Sequence, residues 1–296
     1  MKVGAIVLDT VRELLYRRTL LFYFGIVTLT HLLLLLALQT DVANGAISSI
    51  RVFGMEGHGS GGGFSFGSEA GGGAAGLTAA SLASGIQIVI AFIFYPVAIL
   101  LAVLATSSLV PHMLEKGAID LLLSKPVSRP VLLLSRYLGA LLVAGANLIY
   151  LVGGVGVILA LKTGVFNTGF ILSGLMMTAY FGALLAFLVL WGVLLRSTII
   201  GIMMTAAIFF ASLVVSWPHS SPDWPMLITS RMPRYATQGI VELLYHALPR
   251  TFEFSQIVSN LILQRDVASW NAVFGTVASG AGALACAVLW FRRTDF

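Results

Sequence analysis

Long apolar runs alternate with shorter polar stretches along the chain, and six of the runs are long enough to cross a membrane. A helix needs about 20 apolar residues to cross the hydrocarbon core. The predicted spans cover residues 20–38, 86–106, 131–161, 169–195, 198–217 and 269–291. Only Arg196 and Ser197 separate the fourth span from the fifth, so these two are expected to form a tight hairpin. The pattern predicts an all-α integral membrane protein with a single transmembrane domain over residues 1–296.

The stretch before the first span has the pattern of an amphipathic helix. Its apolar residues recur at helical spacing, and its charged residues fall on the opposite face. The apolar set is Val3, Ile6, Val7, Val11, Leu14 and Leu15, and the charged set is Lys2, Asp9, Arg12, Glu13 and Arg17. Residues 1–18 are therefore predicted to contain a helix at the membrane interface, either as a lead-in to the first span or as a docking element.

The two long loops have different patterns. Residues 39–85 contain a glycine-rich tract at 54–76, and this tract is predicted to form a flexible excursion that contacts the interface through Phe64 and Phe66. Residues 218–268 contain two apolar stripes that are too short to span. The stripes are Ile240, Leu243, Leu244 and Ala247, then Phe254, Ile257, Val258, Leu261 and Ile262. They predict two short interfacial or re-entrant helices before the sixth span.

The polar stretch between the second and third spans begins with the pattern of a short helix. One face holds Leu114, Ile119, Leu122 and Leu123, and the other holds Glu115, Lys116 and Asp120. This helix is expected to end at Lys125, because the residue before a proline is disfavoured in the α region. Pro130 then stands where the first turn of the next helix tolerates it. A short amphipathic helix in this position either lies on lipid or docks a partner.

Composition agrees with the pattern. The chain is 58% apolar and 10% charged, whereas soluble domains carry about 25% charged residues. The net charge of +5 is explained by topology rather than by nucleic-acid binding. With both termini cytoplasmic, inside segments hold eleven Lys and Arg residues and outside segments hold six. The expected location is the inner (plasma) membrane, with the polar stretch in the cytoplasm and both long loops outside.

No catalytic set emerges from the sequence. The five histidines are scattered, His-Glu-x-x-His is absent, and the glycine tract lacks the Gly-Lys-Ser/Thr ending of a phosphate-binding loop. The predicted spans contain no carboxylate for a proton relay. A metal site of His58, His219 and His246 on the outer side is a less favoured alternative. We expect no enzymatic activity and no metal or cofactor in this chain.

Four single residues in the predicted spans have local interpretations. His31 in the first span is interpreted as a helix-packing contact in preference to a functional site. Pro96 frees a backbone carbonyl and can kink the second span. Asn147 suits close helix packing in the third span. Cys286 has no cysteine partner in the chain, so no internal disulfide forms.

Residues 115–129 read Glu-Lys-Gly-Ala-Ile-Asp-Leu-Leu-Leu-Ser-Lys-Pro-Val-Ser-Arg, which resembles the cytoplasmic signature of ABC-2 type transporter permeases. Those chains carry Glu, a basic residue, Gly and Thr or Ser, then Leu-Leu-Ser-x-Pro-Val-x-Arg; Ala118 replaces the hydroxyl residue here. Residues 291–296 resemble the family's Phe-x-Arg-Arg-Asp ending, with Thr294 inserted. The order of helices extends the resemblance over nearly the whole chain. The chain is most similar to the subgroup with the permease of the nitrous-oxide-reductase maturation transporter.

The resemblance implies a permease subunit of an ATP-driven ABC transporter that performs export or membrane-associated work. Residues 111–125 would then be the coupling helix that fits a groove on a separate ATPase. The implied partner-binding residues are Glu115, Lys116, Gly117, Asp120, Leu123, Ser124, Pro126 and Arg129. ATP and Mg would bind to the ATPase, which is expected in two copies.

The other implied partners are a second permease, expected to be identical, the lipid membrane and an extracytoplasmic accessory protein; nucleic acid is not one of them. The alternative function is a membrane scaffold or assembly subunit that transports nothing. A membrane enzyme ranks third, since the catalytic set is missing.

Overall fold

The computed structural model describes residues 2–43, 46–52, 55–57, 79–114, 128–219, 234–267 and 269–293. In chain order the elements are α1 Lys2–Leu15, α2 Arg18–Ala37, β1 Leu38–Ala43, β2 Ala46–Val52, β3 Met55–Gly57, α3 Ala79–Thr106, α4 Leu109–Met113, α5 Arg129–Thr163, α6 Thr168–Leu195, α7 Thr198–His219, α8 Arg234–Ala247, α9 Thr251–Ile262 and α10 Asn271–Arg293. The predicted helical membrane architecture is confirmed.

Six helical segments in the described part are long and apolar enough to cross a membrane. They are Arg18–Leu36, Ala83–Met113, Arg129–Thr163, Thr168–Leu195, Thr198–Ser216 and Asn271–Arg293. Each overlaps one predicted span. The second runs through α3 and α4 and is longer than predicted. The protein is therefore a multi-pass membrane protein.

Short connections fix the order of α5, α6 and α7. α5 ends at Gly164, whose backbone is left-handed with φ of 70° and whose N–H bonds to the carbonyl oxygen of Ala160. Asn167 then caps α6, because its side-chain oxygen accepts a hydrogen bond from the N–H of Phe170. Arg196 closes α6 in the left-handed region with φ of 49°, and α7 begins two residues later. The predicted tight hairpin is present.

Helices α5 and α6 run antiparallel and form much of the core. We call the side where α5 begins and α6 ends the Arg129 side, and the opposite side the Thr168 side. Leu148 and Val155 of α5 are fully buried, as are Phe181 and Leu184 of α6. Among the described helices, α6 and α10 form the most extensive pair. The buried core therefore lies along α6, and the other helices pack around it.

Helix α2 packs on α5 through His31. This side chain is buried, and its Nε2 lies 3.0 Å from the carbonyl oxygen of Leu151, to which Nε2–H donates. The ring of Tyr150 meets the imidazole edge-on, with 4.9 Å between the centroids. Gly154 provides the space, because a Cβ there would overlap the imidazole ring. The structure gives His31 the helix-packing contact that was predicted.

Strands β1, β2 and β3 form a small antiparallel sheet in that order, which sequence analysis did not predict; β3 lies within the glycine tract, so the prediction of a flexible excursion is wrong for this strand. Leu38 pairs with Val52 and Ala43 pairs with Ala46. The sequence between the last two is Asn-Gly, the dipeptide most typical of a two-residue hairpin loop. Sequence analysis overlooked this local signal. The glycine tract from residue 58, with Phe64 and Phe66, lies outside the described residues.

Candidate functional site

The N-terminal helix α1 is docked on α5 near its first turns. Thr10 and Leu14 are fully buried in this contact region. A Cβ on Gly139 of α5 would lie 2.7 Å from the Cβ of Thr10, so glycine permits the close approach of the two helices. The opposite side of α1 exposes Leu8 and Leu15, which suits contact with lipid. α1 is therefore both an interfacial helix and part of the bundle.

On the Arg129 side, a network of charged side chains joins the end of α1 to α5 and to Ser108, the residue before α4. The Glu13 carboxylate accepts a hydrogen bond from Arg17 at 2.7 Å and another from Arg136 of α5. Arg17 also donates to the hydroxyl of Ser108, which directly precedes α4. Arg136 is buried, with 6% of its surface exposed. Sequence analysis placed Glu13 and Arg17 on a face turned away from the packed face, and this was wrong: Arg136 provides an ionic partner inside the protein.

The network holds Glu13 in its ionised form. Burial by itself raises the pKa of this carboxyl group. Hydrogen bonds from Arg17 and Arg136, together with their positive charges, outweigh burial and bring the pKa below its ordinary value of 4.5. At neutral pH the three side chains carry one negative and two positive charges. Because Arg136 is buried, the Glu13 carboxylate is needed to compensate its charge.

This network includes described residues on both sides of the predicted coupling segment in the chain. Ser108 and α4 precede residues 115–127 in the chain, and Arg136 follows them on α5. α4 is itself fixed against α6, since a Cβ on Gly192 would lie 3.1 Å from the Cβ of Val110. Both flanks of the segment are thus held by packed helices.

Most of the predicted partner-binding residues are not described by the structure. Glu115, Lys116, Gly117, Asp120, Leu123, Ser124 and Pro126 lie outside the described residues. Arg129 is described, and it is the first residue of α5. The assignment of these residues to an ATPase interface therefore stays a prediction.

A second polar network, on the Thr168 side, holds the bend between α8 and α9. The hydroxyl groups of Tyr180 in α6 and Thr251 in α9 lie 2.6 Å apart, and Thr251 also contacts Ser212 of α7. The N–H of Phe252 donates to the Ser216 hydroxyl at 3.0 Å. These bonds tie the start of α9 to two spanning helices.

The other end of α9 is fixed at the beginning of α6. The Asn167 amide donates to the Gln87 side-chain oxygen of α3 and to the carbonyl oxygen of Ile262, each at 2.7 Å. Gly169 allows α9 to approach α6, because a Cβ there would overlap the carbonyl oxygen of Leu261. α9 therefore runs along the first turns of α6, with its end at Asn167 and its start at Tyr180.

The distances of these contacts from the helix ends show where the α8–α9 hairpin lies in the bundle. Tyr180 lies 12 residues from the start of α6, which is about 18 Å of helix. Ser216 lies only three residues from the end of α7, and Thr276, which bonds the N–H of Arg250, lies five residues from the start of α10. α6 therefore extends further on the Thr168 side than α7 and α10 do. The α8–α9 hairpin packs against α6 in the space that this difference in length leaves. The two predicted short helices are present, with the bend directed into the bundle.

Charged side chains also lie at the bend between α8 and α9. The Tyr245 hydroxyl donates to the Glu253 carboxylate, and the Arg250 guanidinium lies 4.4 Å from the centre of the Tyr245 ring. Burial, with a further contribution from Glu253, raises the pKa of Tyr245. Tyr245 therefore remains a protonated donor at neutral pH and joins α8 to α9.

Sequence analysis did not predict these networks as units. One available signal was Arg136, since a charged residue seven positions into a long apolar helix requires a partner or a function. Asn167 gave another as a typical N-cap residue. The partners Glu13, Ser108, Gln87 and Thr251 gave no comparable signal, because each is remote in sequence from the residue that it contacts.

Among the described residues, no group of three or more His, Cys, Asp and Glu side chains is placed to hold a metal ion. Of the three histidines considered for an outer metal site, His58 lies outside that part of the chain. Comparison of the chain with protein-family models and with curated proteins finds no match.

Proposed function

We propose that the chain is the membrane permease subunit of an ATP-driven transporter of the ABC-2 type. The sequence signature at 115–129 supports this, as do six spans, an N-terminal helix docked on the bundle and a helical hairpin before the last span. Two copies of a separate ATPase bind ATP and Mg and supply the energy. A second, identical permease completes the membrane part.

The observation that carries the proposal is the Glu13 network. It connects the element before residues 115–127, through Ser108, with the element after them, through Arg136. A displacement of this segment by an ATPase would be passed to α1, α5 and, through α4, to α6, because these helices are packed or ion-paired without intervening loops. A segment that only covered the membrane surface would need no such connection.

The coupling assignment is tested by changing residues in the segment itself. Glu115→Ala and Gly117→Leu are expected to leave the permease inserted and folded but to abolish ATPase association or its stimulation. Loss of one member of a desolvated charge pair costs about 2–5 kcal/mol, and a side chain at Gly117 would hold the two backbones apart. The measurement is ATPase pull-down and ATP turnover in reconstituted membranes.

The control for these variants is Glu56→Ala in β3, a loss of the same carboxylate far from the segment in sequence. It is expected to bind and stimulate the ATPase as the parent does. If Glu115→Ala and Gly117→Leu also behave like the parent, residues 111–125 are not the motor interface. That result would favour the membrane scaffold.

The proposal includes an orientation of the chain in the membrane, which rests on the distribution of Lys and Arg. The Lys and Arg asymmetry places both termini and residues 111–130 in the cytoplasm of a cell with an inner membrane, and places the glycine tract outside. In a Cys286→Ser background, Gly62→Cys is expected to react with an impermeant thiol reagent in intact cells, whereas Ser128→Cys is expected to react only after lysis. Labelling at residue 128 but not at residue 62 in intact cells would reverse the topology.

A further inference from the structure

A cavity of about 1030 Å³ lies between α3, α6, α7 and α9 on the Thr168 side. Ligand pockets in proteins commonly have volumes of about 300–1,000 Å³, so this one has room for a molecule of lipid size or for the chains of one. The hairpin that is fixed by Thr251 and Asn167 forms one of its walls. The cavity therefore depends on the position in which these contacts hold the α8–α9 hairpin.

The walls of the cavity differ in polarity. Phe92, Pro96 and Ile99 of α3 face Phe209 and Leu213 of α7 across an apolar part. Gln87, level with Asn167, precedes these α3 residues by 5–12 positions, so they lie about 7–18 Å further into the bundle. The deeper part of the cavity is thus suited to hydrocarbon.

The wall from α9 is mixed. Ser255, Gln256, Ser259 and Asn260 line it together with Phe252, Phe254 and Val258, and Arg265 follows three residues after the end of the helix. Arg265 is exposed and is the single charged residue among the described residues of the lining. Its backbone N–H bonds to the carbonyl oxygen of Asn260, so it lies at the end of α9 that meets Asn167. The positive charge is therefore at the outer end of the cavity and the hydrocarbon surface is at the inner end.

Two of the apolar residues that line the cavity are exposed. Phe92 of α3 is 80% exposed, and Leu213 of α7 is 37% exposed. In a spanning bundle such residues face the hydrocarbon of the bilayer rather than water. A molecule that enters here comes from the membrane, with its chain first in contact with α3 and α7.

We propose that this cavity binds a phospholipid from the surrounding bilayer, with an acyl chain between α3 and α7 and the phosphate at Arg265. A guanidinium group pairs well with a phosphate, and the side-chain amides of Gln256 and Asn260 donate to the remaining head-group oxygens. The proposal does not depend on the permease assignment, because it concerns only the described residues that line the cavity.

The test uses the full chain in nanodiscs that contain phosphatidylglycerol with a photoreactive group in one acyl chain. After irradiation, labelled peptides are quantified by mass spectrometry. Label is expected to be enriched on α3 and α7 relative to the lipid-exposed face of α10. Ala91→Trp, which places an indole in the cavity, is expected to lower that label about tenfold, equivalent to a loss of about 1.4 kcal/mol in binding free energy.

Ala281→Trp is the matched control, since Ala281 is exposed on α10 and does not line the cavity; it should leave the α3 and α7 label unchanged. Arg265→Gln, on an exposed side chain that folding does not require, is expected to lower the label about two- to fivefold, as for an exposed ion pair. The same variant should have no effect with an uncharged diacylglycerol that carries the same photoreactive chain.

Label on α3 and α7 equal to that on α10, or lowered alike by both tryptophan variants, would overturn the proposal. So would an unaltered label in Arg265→Gln. If the label is missing and Leu213→Cys in a Cys286→Ser background forms an interchain disulfide, a second copy of the chain covers the opening instead.

Discussion

Glu13→Gln is expected to lower the free energy of unfolding by about 2–3 kcal/mol. It removes the carboxylate that compensates Arg136, whose side chain is buried in α5. Removal of one member of a fully buried ion pair costs about 3–5 kcal/mol. The effect here is smaller, because the Glu13 side chain is 31% exposed and water screens part of the interaction. Denaturant or thermal unfolding of the purified chain in detergent measures it.

Asp9→Asn is the control for this substitution. Asp9 lies on the same helix, is exposed and undergoes the same change from carboxylate to amide. A substitution at such a surface position is expected to change stability by less than about 0.5 kcal/mol. Equal losses in the two variants would mean that Glu13 contributes no more than a surface charge, and the connection between α1 and α5 would have to rest on apolar packing.

Acid should remove the difference between the parent and Glu13→Gln. The folded-state pKa of Glu13 lies below its ordinary value of 4.5, so its stabilisation is fully present above pH 4.5 and is lost as pH falls through the folded-state pKa. The difference in unfolding free energy is therefore expected to be constant near neutral pH and to shrink below pH 4.5. A difference that grows on acidification would contradict the ion pair.

Gly280→Ala is expected to destabilise the protein by about 1–3 kcal/mol, the usual range for overpacking. A Cβ at this position of α10 would lie 2.6 Å from the Cα of Ala183 in α6. The conflict is with backbone, which cannot rotate away, so the two helices must separate. Because α6 and α10 form the most extensive helix pair of the described bundle, the unfolding midpoint should fall clearly.

Gly282→Ala provides the comparison within the same helix. A Cβ there meets nothing within 4 Å, and alanine is a better helix former than glycine by about 1 kcal/mol. This variant is expected to be as stable as the parent or more so. If Gly280→Ala were also stabilising, α6 and α10 would not pack as the structure has them.

The sequence by itself determined the helices. The six spans, α1, α8 and α9 each follow from apolar residues that recur within one segment, so no other part of the chain had to be known. The β1–β2 hairpin was equally local, through the Asn-Gly between its strands, although it was overlooked. The coupling role of residues 111–125 also came from the sequence and stays a prediction, since Glu115, Lys116 and Asp120 lie outside the described residues.

Only the tertiary structure decided which polar residues act together. A helical pattern placed Glu13 and Arg17 away from the packed face, but Arg136 lies 123 residues from Glu13 in the chain and supplies a buried partner. The position of α9 likewise depends on its contacts with Tyr180 and Ser212. These two residues lie at the same depth in the bundle because α6 and α7 differ in length. Local periodicity reports which face of a helix is apolar. It contains no information on which distant helix carries the complementary charge or hydroxyl group, because that pairing is fixed only when the helices pack.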